Sequence, residues 1–159
     1  MMLWLTYAVM LIIFYIPCAN DWLFIQSNVV QMLLYHFFHG NIFHLLANGL
    51  SFYVIAPKTK TWQFVVAYAI SCLVALPISQ PMLGFSNIIY ALIGIKTPSF
   101  DSYWWRNVGT IIFFAVTLLM LFMPNVSGIS HIMSFAVGVV VSIIHRFLSN
   151  IKTDAARYV

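Results

Sequence analysis

Long apolar runs alternate with short polar clusters along the whole chain. The apolar runs cover residues 2–17, 36–56, 62–79, 84–95, 104–123 and 128–148. Polar residues gather in the gaps between them, at 19–31, 58–61, 79–81, 96–102 and 124–128. Because about 20 apolar residues in a helix cross the hydrocarbon core of a bilayer, the alternation predicts an all-α, polytopic membrane protein. We expect six transmembrane helices forming a single domain over residues 1–159, with no appended soluble domain.

The fourth run, 84–95, is about half the length of an ordinary span. Pro77 and Pro81 precede it, and neither can continue a helix. Either this run does not cross the membrane, or its outer end stops inside the protein and the preceding loop dips down to meet it. The distribution of basic residues favours crossing, so we expect a short fourth helix headed by Ser86.

Composition and charge place the chain in the membrane and give its direction. Only 6% of the residues are charged and 63% are hydrophobic, which is outside the range of soluble domains. The basic residues fall in the second gap, in or at the far edge of the fourth gap, and at or beyond the end of the last run, at Lys58, Lys60, Lys96, Arg106, Arg146, Lys152 and Arg157. The positive-inside rule therefore predicts cytoplasmic termini and outward-facing first, third and fifth loops. We expect the membrane to be the cell (inner) membrane. Such scattered basic residues do not indicate nucleic-acid binding.

Carboxylates are absent from the apolar runs. The three acidic residues, Asp21, Asp101 and Asp154, lie between or beyond them. This pattern excludes aspartyl intramembrane proteolysis, which needs two buried carboxylates, and carboxylate proton relays. His39 and His44 suggest a metal site at first sight, but their i, i+5 spacing would point them apart on a helix, and the chain has no H-E-x-x-H motif. We therefore predict neither a metal nor a cofactor.

Four polar side chains from three different runs fall at a similar depth. Ser86 and Asn48 each lie roughly 15 Å above the basic residue that follows their run, at a rise of about 1.5 Å per residue. His44 and His131 lie about 21–23 Å above theirs by the same measure. Because lipid satisfies no hydrogen bonds, polar groups gathered at this depth usually line a cavity and do chemistry.

Ser86 is the candidate nucleophile. At the N-terminus of a helix, its hydroxyl would lie near unpaired backbone N–H groups and the positive end of the helix dipole. Such donors can stabilise the oxyanion formed when a hydroxyl attacks a carbonyl group. With no carboxylate available, the base must be a histidine, and His131 has a suitable depth. His44 and Asn48, spaced i, i+4, share a helix face and can donate hydrogen bonds to developing negative charge.

Small residues indicate how the fourth and sixth runs pack. The sixth run has them at every fourth position, at Ser130, Ser134, Gly138 and Ser142. The fourth run has Ser86, Tyr90 and Gly94 at the same interval. Faces of this kind let two helices approach closely. Packing them together would bring the His131 side chain beside Ser86, and Tyr90 could stack on the imidazole ring and hold its orientation.

Three separated motifs resemble those of the rhomboid intramembrane serine proteases. Residues 39–48 read HGNIFHLLAN, similar to the family pattern H-x4-H-x3-N in the second span. Residues 84–94 read GFSNIIYALIG, similar to G-x-S-G-x-x-Y-A-L-x-G in the fourth. Residues 130–138 read SHIMSFAVG, similar to A-H-x-x-G-x-x-x-G in the sixth.

The resemblance implies a role for each motif residue. Ser86 would be the nucleophile and His131 the general base and acid. The oxyanion hole would consist of His44, Asn48 and the Ser86 backbone N–H. Supporting roles would fall to Tyr90, Gly84 and His39, with His39 structural rather than catalytic. The resemblance also implies that the substrates are transmembrane segments of other membrane proteins in the lipid bilayer, cleaved at a site open to the outer face.

The chain also departs from this pattern, which leaves alternatives open. Asn87 replaces the glycine after the nucleophile, where it would add bulk and an amide beside the oxyanion hole. Ser134 replaces a packing glycine but is still small. One alternative is therefore a catalytically inactive rhomboid-like protein that binds transmembrane helices. A small channel or transporter is a third hypothesis, although the polar layer has no charge to select ions and no inverted second half is visible.

Overall fold

The computed structural model describes residues 28–56, 59–78, 82–97 and 127–155, and in addition Leu5. Its regular elements within these residues are helices: α1 (Val29–Leu34), a 3₁₀-helix (Tyr35–Phe37), α2 (Ile42–Ile55), α3 (Thr61–Ala75), α4 (Ser86–Lys96) and α5 (Gly128–Ala155). The all-α prediction is thus confirmed for the described part of the chain. The predicted first and fifth spans, 2–17 and 104–123, lie outside the described residues, so the count of six spans stays a prediction.

Helix α5 is the described helix with an apolar stretch long enough to cross a membrane. This stretch, Gly128–Ile151, has 24 residues. Helices α2, α3 and α4 are apolar but shorter, with 14, 15 and 11 residues. Since about 20 residues are needed to cross the hydrocarbon core at full length, α5 alone among the described helices meets that criterion by itself.

The predicted second span is interrupted before its helix begins. The sequence pattern gave one apolar run over 36–56, but α2 begins only at Ile42. The preceding residue, Asn41, is the N-cap, and its side-chain oxygen accepts a hydrogen bond from the backbone N–H of His44 at 2.8 Å. An asparagine in this position satisfies a backbone donor that the first turn leaves unpaired, which fixes the start of the helix. His39 therefore lies before α2, outside the helix that holds His44.

Helix α4 is the most deeply buried element of the described part. Phe85, its N-cap residue, is fully buried, and its ring contacts Phe52 of α2 at a centroid distance of 5.0 Å and Phe64 of α3 at 6.1 Å. At the other end, the Lys96 ammonium donates hydrogen bonds to the backbone oxygen of Ile55 at 2.7 Å and to the Thr59 hydroxyl at 3.0 Å. Packing at one end and hydrogen bonds at the other fix α4 against α2 and α3.

Two glycines bring α4 and α5 into backbone contact. A Cβ added at Gly94 would lie 2.2 Å from the backbone oxygen of Phe135, and one added at Gly138 would lie 2.4 Å from that of Ala91. No real side chain fits at such distances, so only glycine allows this approach. The contact is the one that the four-residue repeat of small residues predicts, and it brings the α4 and α5 helices close enough for their side chains to meet.

Substituting Gly138 by alanine is expected to destabilise the fold by about 1–3 kcal/mol, the usual cost of forcing an extra methyl group into a packed contact. Gly40→Ala is a matched control, because a Cβ there would meet only the Leu83 side chain, at an ordinary 3.8 Å. Denaturing-detergent titration followed by circular dichroism measures both free energies of unfolding. Equal stability of Gly138→Ala and Gly40→Ala would contradict the close helix contact.

Candidate active site

Ser86 and His131 meet between α4 and α5. Ser86 is the first residue of α4, and His131 lies in the first turn of α5. The Nε2 atom of His131 is 2.8 Å from the Ser86 hydroxyl oxygen, which is hydrogen-bond distance. With the imidazole proton on Nδ1, the serine hydroxyl donates to Nε2, as is required of a base that takes the proton from a nucleophile. The sequence predicted this pair from depth and helix packing.

Tyr90 fixes the plane of the His131 ring. The two rings are stacked, with centroids 4.4 Å apart and an angle of 10° between their planes. Tyr90 lies one turn after Ser86, so the same face of α4 carries both the hydroxyl and the aromatic support. The Nδ1 atom of His131 is buried and has no hydrogen-bond partner among the described residues. Within that part of the chain, the site therefore contains a Ser-His pair without a third residue behind the histidine.

Gly84 lies directly against His44 and Asn48. A Cβ added to Gly84 would be 2.6 Å from the His44 Nε2 atom and 3.1 Å from the Asn48 amide nitrogen. The glycine also has φ +100°, a conformation that L side chains rarely adopt. Position 84 thus requires glycine for two independent reasons. The His44 and Asn48 side chains of α2 can contact the backbone just before Ser86 only because Gly84 has no side chain.

Asn48 carries an unused hydrogen-bond donor. Its side-chain nitrogen is buried and has no hydrogen-bond partner among the residues that the structure describes. Leaving a buried polar group unpaired costs free energy, commonly about 1–3 kcal/mol, and such groups are found where a ligand or transition state supplies the missing partner. With the His44 ring beside it, this donor is suited to an oxygen that develops negative charge near Ser86.

His39 is buried on the far side of His44. Its Nδ1 atom is 3.2 Å from the Phe37 backbone oxygen, and its ring meets the His44 ring edge-on with centroids 5.1 Å apart. The sequence argument that these two histidines point apart on one helix is wrong, because His39 precedes the helix. His39 thus contacts a candidate oxyanion residue, His44, and is held by the Phe37 backbone.

The Asn87 side chain lies in a different place from the one the sequence suggested. Its nitrogen donates a hydrogen bond to the Tyr35 hydroxyl at 3.1 Å, and its oxygen accepts one from the Ser130 hydroxyl at 2.9 Å. Successive residues of a helix are rotated by about 100°, so the residue after Ser86 faces another direction. The expected crowding beside the oxyanion hole is therefore wrong.

A second Ser-His pair lies within the helix bundle. The Ser71 hydroxyl oxygen is 3.0 Å from the His36 Nε2 atom, and the Cys72 sulfur is 3.5 Å from the same nitrogen. Ser71 and His36 are both fully buried, whereas Ser86 is partly exposed. The cluster satisfies its own buried polar groups.

Tyr35 is the residue that the sequence did not reveal. Its hydroxyl meets Asn87, and its backbone oxygen accepts a hydrogen bond from the Gly84 N–H at 3.0 Å. It therefore touches residues on both sides of Ser86. No motif contains Tyr35, and no local pattern encodes its contacts with Asn87 and Gly84, which lie far from it in sequence.

Comparison with known protein families finds a match that covers most of the chain. The Rhomboid domain matches residues 26–146. The match covers more than half of the chain, so the chain belongs to the rhomboid family, as its three motifs suggested. Rhomboid proteins are integral membrane proteins, usually proteases that act on membrane-protein substrates in the bilayer. The comparison with curated proteins finds no match.

Proposed function

We propose that the chain is an intramembrane serine endopeptidase that cleaves transmembrane segments of other membrane proteins with a Ser86–His131 dyad. The observation that carries the proposal is the 2.8 Å separation of the Ser86 hydroxyl and His131 Nε2. Covalent catalysis requires a nucleophile that is hydrogen-bonded to a base, and a further group that orients the base. Here the stacked Tyr90 ring supplies the orientation.

The first half of the reaction forms an acyl-enzyme. His131 Nε2 takes the proton as the Ser86 hydroxyl oxygen attacks the scissile carbonyl carbon, which produces a tetrahedral intermediate with a negative oxygen. His131 then returns the proton to the leaving amine as the peptide bond breaks. In the second half, a water molecule gives its proton to His131 and attacks the ester, and Ser86 regains its hydrogen when the carboxylic product leaves.

The oxyanion would be stabilised by Asn48, His44 and the Ser86 backbone N–H. The buried Asn48 nitrogen, which has no hydrogen-bond partner within residues 28–56, 59–78, 82–97 and 127–155, supports this role, as does the packing of both side chains against Gly84. Preorganised donors are effective because they point at the oxygen before charge develops, so no reorganisation is needed during the reaction. A partly exposed Ser86 beside the buried Asn48 donor and the partly exposed His44 ring would admit a substrate carbonyl.

The proposal includes an orientation in the membrane. The basic residues at alternate gaps support cytoplasmic termini and a site open to the outer face of a cell (inner) membrane. In a six-helix bundle, the 11-residue α4 would be the fourth span, with Ser86 at its outer, sunken end. A substrate helix would enter sideways from the lipid and unwind locally at Ser86.

The alternative of an inactive helix-binding protein depended on Asn87. That residue was expected to crowd the oxyanion hole, but its amide is hydrogen-bonded to Tyr35 and Ser130. The particular reason for expecting a disabled site is therefore removed, and the contacts around Ser86 favour the enzyme.

Purified protein in lipid vesicles is expected to cleave a generic transmembrane reporter. Asn48→Ala should lower kcat by about 10²–10³, the usual cost of removing one oxyanion donor. Asn150→Ala, which changes an exposed asparagine in α5, is the matched control and should keep the wild-type rate. Mass spectrometry of the products locates the cut. Folded wild-type protein that cleaves no reporter would contradict the proposed function, and an unchanged Asn48→Ala rate would contradict the oxyanion assignment.

A further inference from the structure

Two polar residues flank the Ser86–His131 pair in sequence. Asn87 follows Ser86 and Ser130 precedes His131, where the motifs that the chain resembles have glycine and alanine. Both side chains are buried, with 3% and 1% of their surface exposed. The two departures from the motifs therefore adjoin the same contact, one on the Ser86 side and one on the His131 side.

The two departures bond to each other. The Ser130 hydroxyl is 2.9 Å from the Asn87 side-chain oxygen and 2.7 Å from the Ser127 backbone oxygen, so its one hydrogen is shared between these two acceptors, beside the 2.8 Å contact of His131 with Ser86. Helices α4 and α5 are therefore joined at this level by two neighbouring hydrogen bonds. One involves the reacting groups, and the other involves the residues next to them. Water does not compete for a bond so deeply buried, which strengthens it relative to one at the surface.

Asn87 is also held from the opposite side. Its nitrogen donates to the Tyr35 hydroxyl at 3.1 Å, and that hydroxyl donates to the Ser71 backbone oxygen of α3 at 3.3 Å. The Tyr35 backbone oxygen in turn holds the N–H of Gly84, the residue that faces the candidate oxyanion donors. Movement of Asn87 would thus be transmitted to both sides of Ser86.

The close helix contact lies too far away to fix the reacting groups by itself. Gly94 is eight residues after Ser86, and Gly138 is seven after His131, which places the glycine contact about 11–12 Å along the helices. A rocking of about 5° about that contact would shift the reacting ends by about 1 Å over such a length. The stacked Tyr90 ring orients the imidazole plane, and a directional contact near Ser86 and His131 would limit the remaining movement of the two helix ends.

We propose that Asn87 and Ser130 are a positioning pair that holds α4 against α5 so that the Ser86 hydroxyl stays within hydrogen-bond distance of His131 Nε2. The inference rests on the proposed protease activity. Neither residue touches the reacting atoms, so both act through the residues beside them. The glycine-to-asparagine and alanine-to-serine departures then compensate for each other, since each supplies the partner of the other.

The test compares kcat and KM of the wild type, Asn87→Gly, Ser130→Ala and the double variant on the transmembrane reporter. Each single variant is expected to lower kcat about tenfold with KM unchanged, because displacements of about 1 Å can cost up to 10² in rate. The double variant should stay within about threefold of the slower single variant, since residues that share one hydrogen bond are not additive. Ser130→Thr keeps the hydroxyl and should keep most of kcat.

Ser134→Ala is the matched control. Ser134 lies one turn further along α5, equally buried, with a hydroxyl that has no hydrogen-bond partner among the described residues. Its loss should leave kcat unchanged. Circular dichroism and melting temperature establish that each variant is folded at the assay temperature. If Asn87→Gly does not fold, the kcat values of Ser130→Ala, Ser130→Thr and Ser134→Ala are sufficient to test the positioning pair.

Different outcomes would contradict the positioning pair and the proposed protease activity. Active wild type with full kcat in Ser130→Ala, or single-variant losses that multiply in the double variant, would overturn the positioning pair and leave the protease intact. A lower melting temperature with unchanged kcat would overturn it too, because the pair would then only stabilise the fold. Wild type that neither cleaves the reporter nor reacts at Ser86 would overturn the protease, and the positioning role with it.

Discussion

Replacing His131 by alanine is expected to lower kcat for reporter cleavage on the order of 10⁶-fold, about as much as losing Ser86, because this imidazole both takes the Ser86 proton and returns it to the leaving amine. His131 Nε2 is the nitrogen within 2.8 Å of that hydroxyl. The loss should appear in kcat, since nothing assigns His131 to substrate binding. Adding Ser86→Ala to His131→Ala should cost little more, because the two groups act as one unit.

His145→Ala is the matched control for this prediction. His145 lies on the same helix, exposed and stacked on the Trp62 ring with centroids 4.6 Å apart. Its removal deletes an equal number of atoms from α5 without touching the site. Equal rates for His131→Ala and His145→Ala, both folded, would show that the imidazole beside Ser86 takes no part in the chemistry.

Ser86→Ala is expected to abolish cleavage, with a loss on the order of 10⁶ in kcat as for other serine nucleophiles. The chain provides its own comparison, since Ser71 also contacts a histidine, His36, at 3.0 Å. Ser71 lies in the middle of α3 and is fully buried, whereas Ser86 begins α4 and is partly exposed. A histidine contact alone therefore does not define the nucleophile; exposure and the helix N-terminus do.

Ser71→Ala should separate stability from catalysis. Removing this hydroxyl leaves the buried His36 ring short of a partner, which should lower the free energy of unfolding by about 1–3 kcal/mol. The rate per folded molecule should be unchanged. A large drop in the rate of folded Ser71→Ala, with Ser86→Ala still active, would reverse the assignment.

The sequence was most informative where chemistry and helix period coincide. Ser86, His131 and Tyr90 could be brought together from a short apolar run and a four-residue repeat of small residues, and the Gly94–Gly138 contact has the predicted form. Periodicity works here because a helix repeats its faces regardless of what surrounds it.

The sequence was least informative where the chain leaves regular structure. A hydropathy pattern does not indicate that Asn41 is an N-cap and that α2 begins only after it. The prediction that the His39 and His44 side chains point apart was therefore wrong. Likewise, the direction of the Asn87 side chain depends on where α4 begins and on what Tyr35 offers across the bundle. The bond between Asn87 and Tyr35 joins residues 52 positions apart, and no local pattern encodes it.

A fluorophosphonate probe tests the central claim most directly, because it forms a stable bond only with a serine hydroxyl that a neighbouring base activates. The probe should be applied to wild-type protein in vesicles, and the modified peptide identified by mass spectrometry. We predict one adduct, on Ser86, lost in His131→Ala and retained in His145→Ala. Folded protein that acquires no adduct, or acquires it on Ser71 instead, would contradict an activated serine at the head of α4.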